Sequence, residues 1–346
     1  MSNRVLQVLL EPPPADDLFM AMTEEDARAF WVTAPGRGEI RGEILRVPKP
    51  GEVTVHTLYS GISRGTEALV FSGRVPPGEY KRMRAPFQQG DFPAPVKYGY
   101  ANVGTVAQGP SDLVGRVIFC LYPHQTRYIV PADSVHVLPE GLPPGRAVLA
   151  ANLQTAVNGL WDAEPKVGDR ICVIGAGTVG CLVAWLAARI AGCSVELVDV
   201  DPAKAETAAK LGVRFRSPPD AQRDADLVVH ASGNPDGLST ALEIAGFEAT
   251  IVELSWFGDR RAALMLGESF HSRRLTLKSS QVGTIAAAQR GRWSGERQMA
   301  LVFDLLGAPE LDALITGQGG FDDLPLILEQ LTAEPGGTLC HRIVYA

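Results

Sequence analysis

The segment Ile171-Cys-Val-Ile-Gly175-Ala-Gly177-Thr-Val-Gly180 carries the clearest chemistry in this chain. An apolar run leads into Gly-x-Gly-x-x-Gly, a helical pattern follows, and a second apolar run ends on Asp199. In a βαβ unit that order puts a helix N-terminus where a pyrophosphate can sit and a carboxylate where a ribose can sit. Three glycines alone are a weak signal. Here a strand precedes them, a helix follows, and the acid comes 24 residues after Gly175, close to the ~20 the motif expects. Gly175 makes the tight turn and Gly177 lets backbone approach phosphate. Gly180 lets the helix beginning at Thr178 and Val179 pack on its strand. Asp199 would accept hydrogen bonds from both hydroxyls of an adenosine ribose and repel a 2′-phosphate, which favours NAD(H) over NADP(H). The bland alternative is a glycine-rich strand–helix turn with no ligand.

Two textures surround this motif. From about Phe30 to Val137 the pattern is strand-like and rich in turns, with β runs at 53–59, 98–106, 116–120 and 128–130. From about Leu149 to Val282 strands and helices alternate. Strands are expected at 170–174, 194–199, 226–230, 249–254 and 275–280, with helices at 178–191, 202–211 and 236–245. That alternation predicts a doubly wound parallel sheet. Helices at 296–306 and near 324–331 and a strand at 340–345 follow. Residues 1–26 fit no element and read as an extension packed on the surface.

Composition sets the class. The chain has 346 residues, 46% hydrophobic and 21% charged, long enough for two cores. A net charge of −7 argues against general nucleic-acid binding, which needs a clustered cationic face. The apolar stretch Cys181–Ala188 is far short of a membrane span. Val5–Leu10 has no basic start and is cut by Glu11-Pro-Pro-Pro-Ala-Asp-Asp, so it does not read as a signal peptide. Five scattered cysteines without Cys-x-x-Cys indicate neither a disulfide framework nor a structural zinc cluster. A reduced, cytoplasmic protein is the expectation.

The order barrel-like β segment, βαβ unit, short return segment resembles the medium-chain dehydrogenase/reductase superfamily, which includes the zinc alcohol dehydrogenases. The likeness rests on Tyr59-Ser-Gly-Ile-Ser63-Arg64-Gly-Thr-Glu67, Tyr98-Gly-Tyr100-Ala-Asn-Val-Gly-Thr-Val, Tyr128-Ile-Val-Pro-Ala-Asp and Gly175–Gly180 with Asp199-Val-Asp-Pro-Ala-Lys204. The Ser-Gly-Ile-Ser-x-Gly-Thr-Glu wording is also similar to the branch of bacteriochlorophyllide hydroxyethyl dehydrogenases. The resemblance implies an α/β protein with a GroES-like β-barrel catalytic domain plus a Rossmann doubly wound parallel sheet. It divides the chain into a GroES-like unit at 1–150, to which 283–346 return, and a dinucleotide-binding unit at 151–282.

Where zinc alcohol dehydrogenases supply Cys, His and Cys to the metal, this chain has Ser63, Tyr100 and Ala151. Hydroxyl, phenol and methyl do not make a tetrahedral zinc set, so no metal is expected. Something else must then handle charge on a carbonyl oxygen. Tyr100 is the first candidate, as a proton donor; otherwise it is a barrel residue with a satisfied hydroxyl. Ser63 is a second candidate, or a loop hydroxyl bonding backbone. His124, before the strand at Arg127, is the best-placed histidine for a proton relay, or else a surface residue. His56 and His230 read as structural, and Glu67 and Lys97 as charges near the same cleft. On the cofactor side the resemblance assigns Arg64 and Arg342 to the pyrophosphate, Lys204 to the ribose edge and Thr155 to the nicotinamide face. It puts backbone of Ser279–Val282, including Ser280, at the carboxamide.

Three basic or aromatic segments complete the inventory. Gln289–Arg297 reads as a solvated loop capping the next helix, and with Trp256-Phe257 as a pocket wall. His271-Ser-Arg273-Arg274 could meet an acidic substrate or simply end a helix. The strand at 275–280 commonly pairs with its copy in this superfamily, which implies a homodimer. The expected activity is zinc-independent, NAD(H)-dependent hydride transfer on an alcohol/carbonyl pair of a small-molecule substrate, away from nucleic acid and membrane. The alternatives are an NADPH-dependent enoyl or quinone reductase and a dinucleotide-binding protein without catalysis.

Overall fold

The computed structural model describes residues 25–334 and 336–345. The Val5–Leu10 run and most of the extension read at 1–26 lie outside the described residues; residues 25 and 26 begin the first strand, Glu25–Ala34. Seven helices order the description: α1 (Arg64–Phe71), α2 (Ala150–Ala163), α3 (Thr178–Ala187), α4 (Lys204–Lys210), α5 (Pro235–Ile244), α6 (Gly295–Leu306) and α7 (Leu324–Ala333).

Six strands form one all-parallel sheet in the order Arg214–Arg216, Ser194–Val198, Arg170–Ile174, Ala225–His230, Ala245–Glu253, Thr276–Ser279. Numbered along the chain this is 3-2-1-4-5-6, the doubly wound order. Side chains alternate across the sheet, so each strand feeds two cores. Ile171 and Val173 pack with α2 and α3, whereas Cys172 and Ile174 pack with α5 residues Leu238 and Leu242. Helices on both faces explain why Arg170–Ile174 reads as an almost unbroken apolar run.

The β-rich part makes two sheets. One is a seven-stranded sheet ordered Ile315–Gly320, Cys340–Val344, Glu52–Ser63, Asn102–Gln108, Val117–Cys120, His136–Val137, with Arg127–Pro131 pairing on Glu52–Ser63. Val53, Val55, Val106, Ile118, Tyr128 and Val130 fill its interior. The other is a four-stranded sheet built on the Glu25–Ala34 and Arg37–Leu45 hairpin. The late strand Cys340–Val344 runs antiparallel to Glu52–Ser63, with Cys340 opposite Ser63 and Val344 opposite Tyr59. Barrel and doubly wound sheet are the architecture expected from the sequence.

Several details differ from that expectation. α3 stops at Ala187 rather than 191, because Arg189 and Ile190 switch to bonds three residues back and Gly192 turns the chain at φ +74°. α4 starts at Lys204, after a turn in which Asp201 accepts from Ala203 N. The sequence reading named neither α1 nor α2. Most positions of α2 are buried, so no polar face marks its period.

Candidate functional site

The strand Arg170–Ile174 ends at the point where the sheet order reverses, and Gly175 turns away there at φ +104°. A Cβ on Gly175 would stand 2.6 Å from the Ser232 Cα, so only glycine fits. A Cβ on Gly180 would stand 1.8 Å from the Gly175 carbonyl oxygen, which sets how closely α3 lies against the turn. Gly177 is different: nothing lies within 4 Å of where its Cβ would be. It caps α3 with extended backbone, and the half-buried Thr178 and Val179 form the first turn beside that open space.

Asp199 follows the strand Ser194–Val198. Its Oδ2 accepts from Ala176 N at 2.6 Å and its Oδ1 from Asp201 N at 2.9 Å. The carboxylate is thereby clamped to the glycine loop, and each oxygen keeps a second lone pair for another donor. Arg64, the first residue of α1, faces it. Burial lowers the guanidinium pKa and the Asp199 charge opposes that shift. Arg64 makes no hydrogen bond or ion pair with another described residue.

Other residues assigned to the cofactor side already have protein partners. Lys204 is 7% exposed and donates from Nζ to the Gly337 carbonyl at 2.7 Å. Burial and then Arg64 lower its pKa, against Asp201 and Asp199. Arg342 donates to Gln318, lies over the Tyr59 ring at 5.4 Å and packs on Gly145. Thr155 donates from Oγ1 to the Ala151 carbonyl at 2.9 Å inside α2. Ser280 donates from N to the Glu253 carbonyl at 3.0 Å and from Oγ to Asp162 at 2.7 Å.

Around Ser63 the structure assembles a polar cluster only partly visible in the sequence. Glu67, one turn into α1, reaches back so that Oε1 accepts from Ser63 N at 2.7 Å. Its Oε2 accepts from His124 Nε2 at 2.8 Å. His124 Nδ1 meets Ser60 Oγ at 2.7 Å, and Ser60 Oγ meets Tyr345 Oη at 2.9 Å. A carboxylate only accepts, so His124 donates its Nε2 proton to Glu67; in the neutral ring Nδ1 then accepts from Ser60, whose oxygen is left to accept from Tyr345. His124 is 1% exposed and Glu67 4%, so His124 is an interior link rather than a surface loop residue. The loop is held there because Phe30 N bonds the His124 carbonyl. The ring lies over Gly99, whose Cβ would come within 2.9 Å of it.

Tyr100 stands on the other side of Ser63. Burial, then the Glu67 charge, push its pKa well up, opposed by hydrogen bonds with the Ser63 and Thr66 side chains. The phenol therefore stays protonated across the neutral range. Ser63 Oγ accepts from Asn152 Nδ2 at 2.9 Å, which joins α2 to the cluster. Asn152, Ser60 and Tyr345 escaped the sequence reading; a Ser–Tyr pair 285 residues apart leaves no local pattern. Lys97 is fully buried, bonded to Glu43 and Gln125, and supports the sheet behind the cluster.

The positions matching zinc ligands are thus a hydroxyl bonded to Asn152, a protonated phenol and a methyl, which does not fit the metal. No group of three or more His, Cys, Asp or Glu that could hold a metal occurs among the described residues. No helix among them is long and apolar enough to cross a membrane.

The basic segments are tied down locally. Arg290 and Arg297 bond carbonyls of their own loop, and Ser294 caps α6. Trp293 packs on Trp161 at 4.7 Å, and the partly buried Trp256 packs against the cluster that holds Phe30, Phe71 and Leu324. Arg273 bonds the Ala245 carbonyl, and Arg274 pairs with Glu248 at 2.9 Å.

The ketopantoate reductase PanE/ApbA family model matches residues 171–244, the part holding the glycine loop. D-guloside 3-dehydrogenase of Escherichia coli is 26% identical over 287 residues, covering 74% of this chain and 81% of that protein. The 2-desacetyl-2-hydroxyethyl bacteriochlorophyllide A dehydrogenase of Rhodobacter capsulatus is 28% identical over 213 residues, covering 55% and 61%. Among solved structures, acetophenone reductase from Geotrichum candidum, in complex with NAD, superimposes with a TM-score of 0.75 at 17% identity. It covers 94% of this chain and 98% of its own.

Proposed function

This chain belongs to the medium-chain dehydrogenase/reductase superfamily, and on that premise we propose that it moves hydride between NAD(H) and an alcohol/carbonyl pair without zinc. The observation that carries the proposal is the open space over Gly177. It is flanked by Asp199 and by a half-buried Arg64, which feels the Asp199 charge but hydrogen-bonds no carboxylate among the described residues. Desolvating an arginine without pairing it is costly unless an anion completes the site. A dinucleotide supplies that anion as its pyrophosphate. The glycine loop with the first turn of α3, Thr178 and Val179, and Arg64 would hold the pyrophosphate, and Asp199 the adenosine ribose. Thr155 and the Ser280 loop would border the nicotinamide. Lys204 and Arg342 then act mainly by holding their own loops in place.

Bound nicotinamide supplies or takes the hydride at the substrate carbon. The chain's own residues handle the oxygen. Tyr100, kept protonated by burial and by the Glu67 charge, donates its proton to the substrate oxygen in reduction and recovers it in oxidation. Ser63, oriented by Asn152, holds the phenol in position. His124 acts one step back: through Glu67 it fixes the Ser63 amide.

A second reading has one observation in its favour. Arg64 and Lys204 both lie near Asp199, and two cations could tolerate a 2′-phosphate, as an NADPH-dependent enoyl or quinone reductase needs. Thermal-shift titration with NADH and, separately, NADPH decides. Ligand at about 100 times its dissociation constant adds roughly 2.7 kcal/mol. Stabilisation by NADH alone supports the proposal, preference for NADPH supports the second reading, and no response to either leaves a chain without dinucleotide chemistry.

We further propose the division into a barrel unit at 1–150 with 283–346 and a dinucleotide unit at 151–282. A homodimer is proposed through the sheet edge Thr276–Ser279. Leu277 on that strand is exposed, as are Phe247, Met265 and Leu266. Five thiols, none of them paired, suit a reducing compartment such as the cytoplasm.

A further inference from the structure

Trp256 and Phe257, adjacent in sequence just after the strand Ala245–Glu253, are held by opposite halves of the molecule. Trp256 is half-buried and packs against the cluster that holds Phe71, Phe92 and Tyr98 in the β-rich part. Phe257 packs against the cluster of Cys172, Ile174 and Leu238 in the parallel sheet, its ring nearly parallel to His230 at 6.1 Å. The root of this segment is pinned: Glu253 accepts from His230 Nδ1 and from Ser255 N, each at 2.6 Å. Its far end is pinned too. Gly258 turns the chain at φ +63°, and a Cβ there would stand 2.6 Å from Leu69 Cδ1 and 2.7 Å from the Arg74 carbonyl oxygen. Asp259 then accepts from Arg74 Nη2 at 2.6 Å. Residues 256–259 are thus a strap from the carboxyl end of the parallel sheet to α1 and the turn after it.

α1 presents one face to the strap. Thr66 and Leu69 lie three residues apart, on the same side of the helix. The Thr66 side chain hydrogen-bonds Tyr100, and Leu69 lies against Gly258. The strap therefore crosses α1 one turn from the phenol. A file of rings leads away from that phenol on the barrel side. Tyr100 meets Tyr98 edge-on at 5.9 Å, Tyr98 meets Phe92 at 5.8 Å, and Phe92 meets Tyr80 at 5.8 Å. Leu69, Tyr80, Tyr100 and Trp256 are all half-buried against the same cluster, so each keeps part of an apolar side chain uncovered.

The polar side chains at the phenol are engaged with one another, Ser63 with Asn152 and Tyr100, and Thr66 with Tyr100. Arg74 is held by Asp259. A carbonyl offered to Tyr100 between α1 and the strap therefore lays its other substituents against Leu69 and the rings. Apolar substituents gain by leaving water there, and an aryl group adds ring-edge contacts. The hydroxyls of an open-chain polyol lose water without finding free partners in return.

We propose that the strap, through Trp256 with Leu69, makes this a site for aryl ketones and the alcohols derived from them rather than for polyols. The inference rests on the hydride-transfer reading above. Trp256 and Leu69 select the substrate and take no part in the proton or hydride step.

1-Phenylethanol and sorbitol, one aryl and one polyhydroxylated alcohol, test it on the full chain. Calorimetric titration into the NADH complex, which cannot oxidise them, reads binding, and NADH formation from NAD reads turnover. The wild type is expected to favour 1-phenylethanol about a hundredfold in kcat/KM. Trp256→Ala should raise its KM about tenfold, with kcat and NADH affinity unchanged, and Trp256→Phe should restore it. Preference for sorbitol, or a 1-phenylethanol KM that Trp256→Ala leaves unchanged, overturns the assignment while hydride transfer stands. A fall in kcat and NADH affinity alongside the rise in KM also overturns it, since that marks a strap with a structural role alone. Binding of neither alcohol overturns it as well. 1-Phenylethanol that binds the NADH complex, loses affinity in Trp256→Ala and is never oxidised supports the apolar wall and removes the hydride-transfer reading.

Discussion

Gly177 and Gly180 sit three residues apart in one motif, yet the structure gives them opposite burdens, and alanine at each separates the two. At Gly180 the new Cβ would lie 1.8 Å from the Gly175 carbonyl oxygen, a backbone atom that no rotamer change can move. Overpacking of this kind costs about 1–3 kcal/mol, and a backbone clash belongs at the upper end. Unfolding entropy of roughly 2.1 cal/mol/K per residue makes each kcal/mol worth about 1–2 °C in a chain this long. Gly180→Ala should therefore melt about 4 °C lower, and the shift of α3 off the turn should also weaken dinucleotide binding. At Gly177 the φ of −74° suits any residue and nothing lies within 4 Å, so Gly177→Ala should leave the melt within about 0.5 kcal/mol of wild type. Its methyl instead occupies the space through which phosphate approaches the amides, and NADH affinity should fall at least about tenfold, some 1.4 kcal/mol. Differential scanning calorimetry and NADH fluorescence titration on both variants make the comparison. Wild-type NADH affinity in Gly177→Ala, or an unshifted melt in Gly180→Ala, would refute the division of roles.

Three further outcomes are expected. Tyr100→Phe should lower carbonyl reduction by about 10²–10³ while NADH affinity stays constant, the usual loss for one transition-state donor; stopped-flow hydride transfer separates the two. Because the Tyr100 pKa is raised, the phenol contributes no loss of reduction between pH 6 and pH 9, and a basic limb inside that window that Tyr100→Phe abolishes would contradict the assignment. Arg64→Met should weaken ADP and NADH alike, about tenfold, and flatten the salt dependence of binding, since it removes a phosphate contact common to both. Asp312 has its pKa lowered chiefly by the hydrogen bond from Arg146. A lowered folded pKa contributes stability above the unfolded carboxylate range and loses it as pH falls from there through the folded pKa, so Arg146→Met should reduce the acid dependence of stability below about pH 4.

The doubly wound half was legible because buried parallel strands are written as short apolar runs, and Ile171, Val173, Cys172 and Ile174 each need a covered face. The glycine loop was legible for a stricter reason: backbone geometry at Gly175 and Gly180 admits one residue type. Partners were not legible. Lys204 and Arg342 occupy positions suggestive of phosphate and ribose, but nothing local told that their donors go to the Gly337 carbonyl and to Gln318. His124 looked like a loop residue because its environment comes from elsewhere, with Glu67 on α1, Ser60 in the long barrel strand and Tyr345 after the last one. α2 stayed hidden since a helix buried nearly all round has no amphipathic period to read.

The strand Cys340–Val344 carries a consequence for the order in which the protein can assemble. It supplies the neighbour of Glu52–Ser63 on which Ser63 is fixed, and Tyr345 closes the chain of bonds that begins at Glu67. Between Ser60 and Tyr345 lies the whole parallel sheet, a separation of 285 residues. Closing so long a loop costs entropy that only many later contacts can offset, and such non-local pairings form late. The barrel strands made early therefore keep one edge unpaired until the segment carrying the parallel sheet, and the strand after it, have been synthesised. An unpaired edge of that kind invites mispairing with other chains. Folding of the parallel-sheet segment thus sets the schedule on which the seven-stranded sheet is completed.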